Sequence, residues 1–339
     1  MPTFFAENCF FLTGPTACGK TALALEFARE ENAEILSMDS VAIYRGMDIG
    51  SAKPTLEEQA QAVHHMIDLV DPSEEFSVVE YLHRAESVVR DCLARGKKPL
   101  FTGGTPLYLK ALIFGLFEGP EGDEAFRETM RVEAQKAAEA GDRTFLHRKL
   151  EAVDPVTAAR LHPNDAKRLI RALEVFTLTG KPIHEFQTQF QPEVPERFRE
   201  RIRIIDIPRP DLHIRIEKRV DLMFELGFLE EVLSLRLRFP VLSRTASMAV
   251  GYREILAFLE THGLTAERLD AVREELGCLR CGESEFSSDA KDWVEREASR
   301  LHEAAGFEEL VTEIKTHTRQ MAKRQVTWFR SLLDQEFMF

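Results

Sequence analysis

The chain has 339 residues, of which 44% are hydrophobic and 30% are charged, and its formal net charge is -13 at pH 7. The acidic balance argues against non-specific nucleic-acid binding by the whole surface, although it is compatible with a local basic groove. No apolar run approaches the roughly 18 residues of a membrane span, and no basic region of a signal peptide opens the sequence. The five scattered cysteines do not indicate a disulfide framework. We therefore expect a cytoplasmic protein with no membrane segment.

The first predicted elements enclose a glycine-rich loop. Residues 8–13 predict a strand, residues 20–31 predict a helix, and GPTACGKT between them matches G-x-x-x-x-G-K-[ST]. Such a loop directs backbone N–H groups and a helix N-terminus at phosphate oxygens, while its hydroxyl binds Mg²⁺. The motif is typical of ATP sites, but it does not identify the molecule that carries the phosphates. The predicted diphosphate ligands are Gly14, Pro15, Thr16, Ala17, Cys18, Gly19, Lys20 and Thr21, with Thr21 also the Mg²⁺ ligand.

Strands and helices alternate in the next hundred residues. Residues 33–40 predict a strand ending at Asp39, 77–95 a helix, 97–104 a third strand and 106–116 a helix. This order predicts right-handed crossovers and a parallel sheet. A nucleotide hydrolase carries an acidic Mg²⁺ ligand at a neighbouring strand end, whereas the third strand here is followed by Thr105 and no acid. The pattern disfavours motors and switches and leaves small-molecule kinases and other diphosphate chemistry.

The character of the chain changes near residue 119. Residues 119–189 predict several helices and no strand, residues 198–210 return to a strand pattern, and the chain is helical from Asp211 onward. The predicted fold is α/β, with a P-loop parallel-sheet core that has helices on both faces, plus an all-helical insertion. The core comprises residues 1–118 and 190–339, and the insertion comprises residues 119–189. We expect a monomer.

Several longer motifs occur in one order: GPTACGKTAL, YRGMDIGSAKP, FTGGTPLYLKAL, LHPNDAKRLIRALEV, AVGYREI and QMAKRQVTWFR. Together they resemble the tRNA dimethylallyltransferase family over residues 8–330. The resemblance implies that the loop holds dimethylallyl diphosphate. It implies that the prenyl group moves to the exocyclic N6 of the adenosine just 3′ of the anticodon, tRNA position 37. Diphosphate leaves with the assistance of Mg²⁺, and the partner is the anticodon stem-loop.

The chemistry of that reaction selects the candidate catalytic residues. An allylic carbon ionises readily when cations and amides stabilise the departing diphosphate, whereas an adenine amine is a weak nucleophile that benefits from a proton acceptor. Asp39 is the predicted general base; the alternative is a helix cap, a role that Ser40 fills equally well. The resemblance favours Arg219 over Arg215 as the cation at the leaving group. With Thr21 as Mg²⁺ ligand, the predicted catalytic set is Asp39, Thr21 and Arg219.

Two basic clusters interrupt the acidic sequence, one within residues 160–171 and one within residues 318–330, where Trp328 offers a stacking surface. Each cluster alone is typical of a solvated helix face, and the resemblance favours RNA contact. Ala42 departs from the family pattern, in which many members have Gln. The predicted tRNA-contacting residues are Asp39, Ser40, Val41, Ala42, Thr105, Arg127, Lys167, Arg168, Leu169, Ile170, Arg171, Lys323, Arg324 and Arg330.

Three alternatives stay open at this point. An adenylate isopentenyltransferase acting on free AMP, ADP or ATP retains the loop and Asp39 but does not need the basic clusters. A P-loop small-molecule kinase needs a lid, which the sequence does not clearly offer. A catalytically inactive RNA-binding protein needs neither an intact loop nor Asp39. Cys278-x-x-Cys281 is a weak zinc pattern, because no second pair is near, and a reduced loop is the favoured interpretation.

Overall fold

The structure is a computed structural model that describes residues 4–116, 119–186, 200–277 and 287–332. The chain divides into two compact units, Met1–Ile113 with Glu193–Phe339 and Phe114–Pro192. The predicted insertion, 119–189, falls within the second unit. Cys278 and Cys281 lie outside the described residues. Among the described helices, none combines the length and the apolar character that a bilayer crossing requires.

The first unit contains a five-stranded parallel sheet, as the alternation of strands and helices predicted. Its strands are β1 (Phe10–Thr13), β2 (Ala33–Ser37), β3 (His64–His65), β4 (Lys98–Gly103) and β5 (Ile202–Ile204), in the order β3-β2-β4-β1-β5. Strand β3 was not predicted, because two residues are too few to show alternation. The prediction also began β1 two residues too early, since the chain up to Asn8 is helical.

The helices fall into three groups along the chain. Those before the insertion are α1 (Phe4–Asn8), α2 (Lys20–Glu30), α3 (Leu56–Gln59), α4 (Val78–Ala94) and α5 (Pro106–Phe114). The described elements of the second unit are all helical: α6 (Glu124–Glu139), α7 (Phe145–Val153), α8 (Pro155–Ala158), α9 (Ala166–Thr179) and α10 (Ile183–Phe186). The remaining helices are α11 (Arg209–Glu225), α12 (Phe228–Arg238), α13 (Arg244–Ser247), α14 (Tyr252–Thr261), α15 (Ala266–Glu275), α16 (Ser288–His302) and α17 (Phe307–Leu332).

Both faces of the sheet are covered, as predicted. Alternate strand residues point to opposite faces, so each strand contributes to two cores. On one face Phe11 stacks on Phe101 with ring centroids 5.5 Å apart, and Phe5 of α1 packs edge-on against Phe101 at 5.9 Å. The opposite face packs against α2 and buries Leu12, Ala24, Ala28, Ala33, Ile35 and Leu100.

The carboxyl ends of β1, β2 and β4 meet at one edge of the sheet. Thr13 Oγ1, at the end of β1, donates a 2.8 Å hydrogen bond to the Gly103 carbonyl at the end of β4. A Cβ at Gly103 would lie 2.2 Å from the Met38 carbonyl oxygen, so only glycine permits the approach of β4 to the end of β2. Open parallel sheets bind their ligands at this edge. The phosphate loop, Asp39 and Thr105 therefore converge there.

Glu34 in β2 ties the sheet to α4. This buried carboxylate accepts hydrogen bonds from both terminal nitrogens of Arg95, one of them 2.7 Å long, and it lies 2.7 Å from His65 Nε2. Ligand atoms of Glu34, His65 and Cys92 lie within 4.8 Å of one another, a spacing that a metal ion could bridge. Because Arg95 already engages both carboxylate oxygens, we interpret the group as a structural ion pair.

The Arg95 hydrogen bonds lower the pKa of Glu34 from 4.5 to about 2, against the opposing effect of burial. An acid whose pKa is lower in the folded state than in the unfolded state stabilises the fold at pH values above its unfolded-state pKa. That contribution is lost as the pH falls from 4.5 towards 2. Glu34→Gln should therefore lower the free energy of unfolding by about 3 kcal/mol at pH 7. The difference from wild type should shrink below pH 4.5 in equilibrium urea unfolding. A difference that stays constant from pH 7 to pH 3 would contradict this interpretation.

Candidate active site

The phosphate loop adopts a conformation that ordinary residues resist. Gly14 has φ 155°, and a Cβ there would lie 2.9 Å from both Cys18 Sγ and the Ile205 carbonyl oxygen. Ala17 has φ 63°, in the left-handed region, which costs a residue with a Cβ about 1–2 kcal/mol. The N–H groups of Ala17 and Gly19 have no acceptor in the described part of the chain, and α2 begins without a side-chain cap. The loop therefore presents unused donors to an anion.

Lys20 lies at the base of this loop and forms no salt bridge with any described residue. Its ammonium donates to the Gly14 carbonyl at 3.0 Å and to the Pro15 carbonyl at 2.8 Å. Burial lowers the pKa of Lys20, and the nearby Arg219 guanidinium contributes in the same direction. An anion bound here would offset both effects, because it favours the charged form of lysine.

Helix α11 brings two arginines to the loop. Arg219 Nη1 lies 3.4 Å from Thr16 Oγ1, and Arg215 Nη1 lies 3.4 Å from the Cys18 carbonyl oxygen. Arg215 is exposed, whereas burial lowers the pKa of Arg219. Of the two candidates, Arg219 is thus the more desolvated cation. Its attraction to a bound anion is correspondingly stronger.

Asp39 uses one carboxylate oxygen for local structure. Its Oδ1 accepts from the N–H groups of Val41 at 2.8 Å and Ala42 at 3.3 Å. Its Oδ2 has no hydrogen-bonding partner within the described ranges. Thr105 Oγ1 accepts from Ser40 N at 3.1 Å and so holds this turn against the end of β4. The geometry is compatible with both the general-base and the capping interpretation of Asp39. Oδ1 shapes the turn, and Oδ2 faces no competing donor among the described residues.

A single cavity of about 580 Å³ collects these groups. Its polar wall includes Lys20, Thr21, Asp39 and Arg219. Its apolar wall is formed from α11, α12 and α17 and includes Val220, Met223, Phe228, Ile314 and Met321. An anion site, an apolar wall and a carboxylate therefore share one space. This combination suits transfer of an apolar group from an anionic leaving group to a nucleophile.

Oxygen donors predominate where a cation would accompany the anion. Thr21, Ser37, Asp39 and Thr102 line the same cavity, and Thr102 Oγ1 is buried without a hydrogen-bonding partner in the described part of the chain. Mg²⁺ prefers oxygen ligands and usually keeps several waters beside one or two protein ligands and substrate phosphates. This donor set fits Mg²⁺ better than a metal that selects nitrogen or sulfur.

The sequence did not reveal how the wall of the cavity is held. Glu231 Oε2 accepts from the N–H groups of Asp48 at 2.9 Å and Ile49 at 2.6 Å, while Oε1 accepts from Gly50 N at 3.2 Å and from the Tyr252 hydroxyl at 2.6 Å. Burial raises the pKa of Glu231, although these donors oppose the shift. The YRGMDIGSAKP motif marked the loop, but no sequence signal marked a partner 181 to 183 residues away.

Gln325 of α17 is a second residue that the sequence did not single out. Its Oε1 accepts from Thr16 N at 2.9 Å, and its Nε2 donates to the Gly104 carbonyl at 2.8 Å. The surrounding QMAKRQVTWFR motif drew attention to its charged members and to Trp328. Gln325 therefore joins the phosphate loop to the segment that follows β4.

The predicted tRNA contacts in the second unit require correction. Leu169 is fully buried and Ile170 is 6% exposed, so their side chains pack in the hydrophobic core and are not available to RNA. Arg127 and Arg171 both pair with the fully buried Glu174, with Arg127 Nε 2.8 Å from its Oε1. Removing either arginine would leave a buried carboxylate underpaired, so these two residues have a structural role.

Of the predicted tRNA contacts in that unit, the exposed cations are Lys167 and Arg168, and Arg168 lies 3.3 Å from Asp165. On α17, Lys323 and Arg324 are exposed and have no ion-pair partner among the described residues. Arg330 lies 3.4 Å from Asp206, which reduces its net charge towards a ligand. A surface groove of about 410 Å³ on α17 is lined by Gln320, Lys323, Arg324, Thr327 and Trp328.

The fold and the site define a class: a P-loop protein with group-transfer geometry and no acid directly after β4. Family models described as IPP transferase and Isopentenyl transferase match residues 42–332 and 7–68, respectively. The tRNA dimethylallyltransferase of Rhodopirellula baltica is 41% identical over 97% of this chain and 86% of its own length. That of Geobacter metallireducens is also 41% identical, over 94% and 87% of the two chains.

Solved structures give the same result. The tRNA delta(2)-isopentenylpyrophosphate transferase of Staphylococcus epidermidis matches with a TM-score of 0.56 and 31% identity, covering 96% of this chain and 91% of the other. A eukaryotic dimethylallyltransferase acting on tRNA matches with a TM-score of 0.60 and 26% identity, covering 95% and 69%. The chain belongs to the tRNA dimethylallyltransferase family. It is a prenyl-transferring enzyme with tRNA as a substrate, which favours this function over the adenylate and kinase alternatives.

Lys20→Ala should weaken the binding of inorganic pyrophosphate by about 10–100-fold, because a charge-assisted contact to the anion is lost. Isothermal titration calorimetry measures this affinity, and a filter assay without donor measures tRNA binding, which should stay within about twofold. Lys97→Ala is the matched control, because the Lys97 ammonium donates to Asn32 Oδ1 and does not line the cavity. Loss of tRNA binding in Lys20→Ala would show that the two sites are not separate.

Proposed function

We propose that the enzyme transfers the dimethylallyl group of dimethylallyl diphosphate to N6 of adenosine 37, just 3′ of the anticodon, and releases diphosphate. The observation that carries the proposal is the shared cavity. It contains a loop with unused amides, the half-buried cations Lys20 and Arg219, and an Asp39 oxygen without a hydrogen-bonding partner among the described residues. In the reaction, the bond between the allylic carbon and the diphosphate oxygen breaks. A bond from that carbon to N6 forms, and a proton leaves N6.

The donor end of the cavity suits the leaving group. Diphosphate oxygens accept from the loop amides and from Lys20 and Arg219, so the charge that develops on departure meets fixed donors. The apolar wall receives the prenyl chain and excludes water from the allylic cation. Mg²⁺, held by Thr21 with Ser37 and Thr102 nearby, would supply further positive charge to the diphosphate oxygens.

The acceptor end suits an adenine. The base must leave the stacked anticodon loop before its amine can reach a reacting atom inside the protein. Asp39 Oδ2 accepts the N6 proton during attack. Ser40, Val41 and Thr105 border the same end of the cavity and contact the base. Ala42, which is only 4% exposed, contributes indirectly, because its N–H donates to Asp39 Oδ1.

The stem-loop contacts come from exposed cations in each unit. Lys323 and Arg324 bind phosphates, and Trp328 in the same groove offers a surface for stacking. Lys167 and Arg168 add phosphate contacts from the insertion. We further propose that the enzyme acts as a monomer, a proposal supported by the meeting of Lys20, Asp39 and Arg219 around a cavity within one chain. We place its action in the cytoplasm, where its tRNA substrate is found.

Asp39→Asn tests the general base. The amide oxygen can still accept from the Val41 and Ala42 N–H groups, so the turn is preserved while the proton acceptor is lost. Single-turnover prenyl transfer at saturating tRNA and donor should slow by about 10²–10⁴-fold. The affinity for tRNA should change little. A slowdown of less than about tenfold would restrict Asp39 to its role in the turn.

The double variant Lys323→Glu with Arg324→Glu tests the RNA surface. The KM for tRNA should rise, and the slope of log affinity against log salt should fall by about two units, one for each lost phosphate contact. Arg29→Glu with Lys97→Glu carries the same change in net charge at the opposite edge of the sheet and serves as control. If both double variants changed the salt slope equally, the effect would be one of overall charge and not of contact.

A further inference from the structure

The carboxamide of Gln325 links two segments that otherwise approach from different parts of the sequence. Thr16 lies 309 residues away in the phosphate loop, and Gly104 lies 221 residues away after β4. The two hydrogen bonds, 2.9 and 2.8 Å long, use both the acceptor and the donor of one side chain. Among the described residues, this is the only side chain that joins the donor loop to the segment after β4.

The link reaches the acceptor end through one further hydrogen bond. Gly104 precedes Thr105, whose Oγ1 accepts from Ser40 N, and Ser40 follows Asp39. A Cβ on Gly104 would lie 2.7 Å from Gln325 Nε2, so a side chain at residue 104 would displace the carboxamide. The Gln325 carboxamide therefore adds a direct link between the phosphate loop and the segment that holds the Asp39 turn.

Helix α17 is itself firmly held to α11. Arg319 pairs with Glu217 at 2.8 Å, and Lys315 pairs with Asp221 at 2.5 Å. Ala322, one turn before Gln325, is buried in a cluster with Leu212 and Ile216, and Ala17 of the loop packs on the same cluster. The inner face of α17 thus contacts the loop at two successive turns. Its outer face presents Lys323 and Arg324, next to Gln325 in the chain.

We propose that Gln325 is a positioning residue for prenyl transfer. It fixes the donor loop against the acceptor end while the same helix binds RNA on its outer face. The chemistry of the side chain supports the assignment: glutamate only accepts, lysine only donates, methionine does neither strongly, and asparagine is one methylene shorter. Reacting atoms must approach within about 3–3.5 Å, and a misplacement of about 1 Å can cost 10²-fold in rate. The inference rests on the donor site proposed above.

Gln325→Met keeps the length of the side chain and removes both hydrogen bonds. The single-turnover rate at saturating donor and tRNA should fall by about 10–100-fold, whereas the separate affinities for pyrophosphate and for tRNA should change by less than about threefold. Gln325→Glu retains the acceptor for Thr16 N and should lie between wild type and Gln325→Met. Gln61→Ala is the control, because the side chain of the exposed Gln61 donates to the Glu57 carbonyl in its own turn.

A second variant reports on the other end of the link. Gly104→Ala displaces the carboxamide by contact, so it should reproduce the defect of Gln325→Met, and the double variant should be no slower than either single one. An unchanged rate in Gln325→Met, additive effects in the double variant, or a rate loss matched by equal losses in both affinities would overturn the proposal. Failure of the proposed donor site can be distinguished from failure of this proposal. In that case wild type and Lys20→Ala would bind pyrophosphate with the same affinity.

Discussion

The close approach of β4 to the end of β2 at Gly103 is the constraint on which the site depends. Because no Cβ separates Gly103 from the Met38 carbonyl, the two strands end side by side, and the β1 end joins them through the Thr13 hydroxyl. Parallel strands place their carboxyl ends at one edge of the sheet. The phosphate loop, the Asp39 turn and Thr105 therefore share that edge. A side chain at residue 103 would separate the donor loop from the acceptor carboxylate.

The charges that line the cavity favour the binding of an anion. Lys20 and Arg219 form no salt bridge within the described part of the chain, and burial lowers the pKa of each although the Asp39 charge acts in the opposite direction. Such cations are unfavourable in an empty site and become favourable when an anion binds, so part of the binding energy of a diphosphate is the relief of this cost. The left-handed Ala17 stores backbone strain in the same loop. The fold thus maintains a preorganised anion site, which is what stabilisation of a leaving group requires.

The basic clusters have two different roles, although they look alike in sequence. In the second unit, Arg127 and Arg171 neutralise the buried Glu174 and so stabilise the helical fold. On α17, the inner-face residues secure the helix to α11 and the loop, whereas Lys323 and Arg324 are left exposed. For a chain with a net charge of -13, unpaired cations matter more for RNA contact than the number of basic residues.

The sequence by itself determined the P-loop, the parallel α/β core, the helical character of the insertion and the family, because these features are written in local periodicity and in contiguous motifs. It also marked Asp39 and Arg219 as candidates, and the structure brings both to the same cavity. Only the tertiary structure decided that Leu169 and Ile170 face a core, that Glu231 holds the wall loop and that Gln325 bridges the phosphate loop to Gly104. These outcomes depend on partners between about 180 and 310 residues apart, and on which side of a helix meets another element, and no local pattern encodes either.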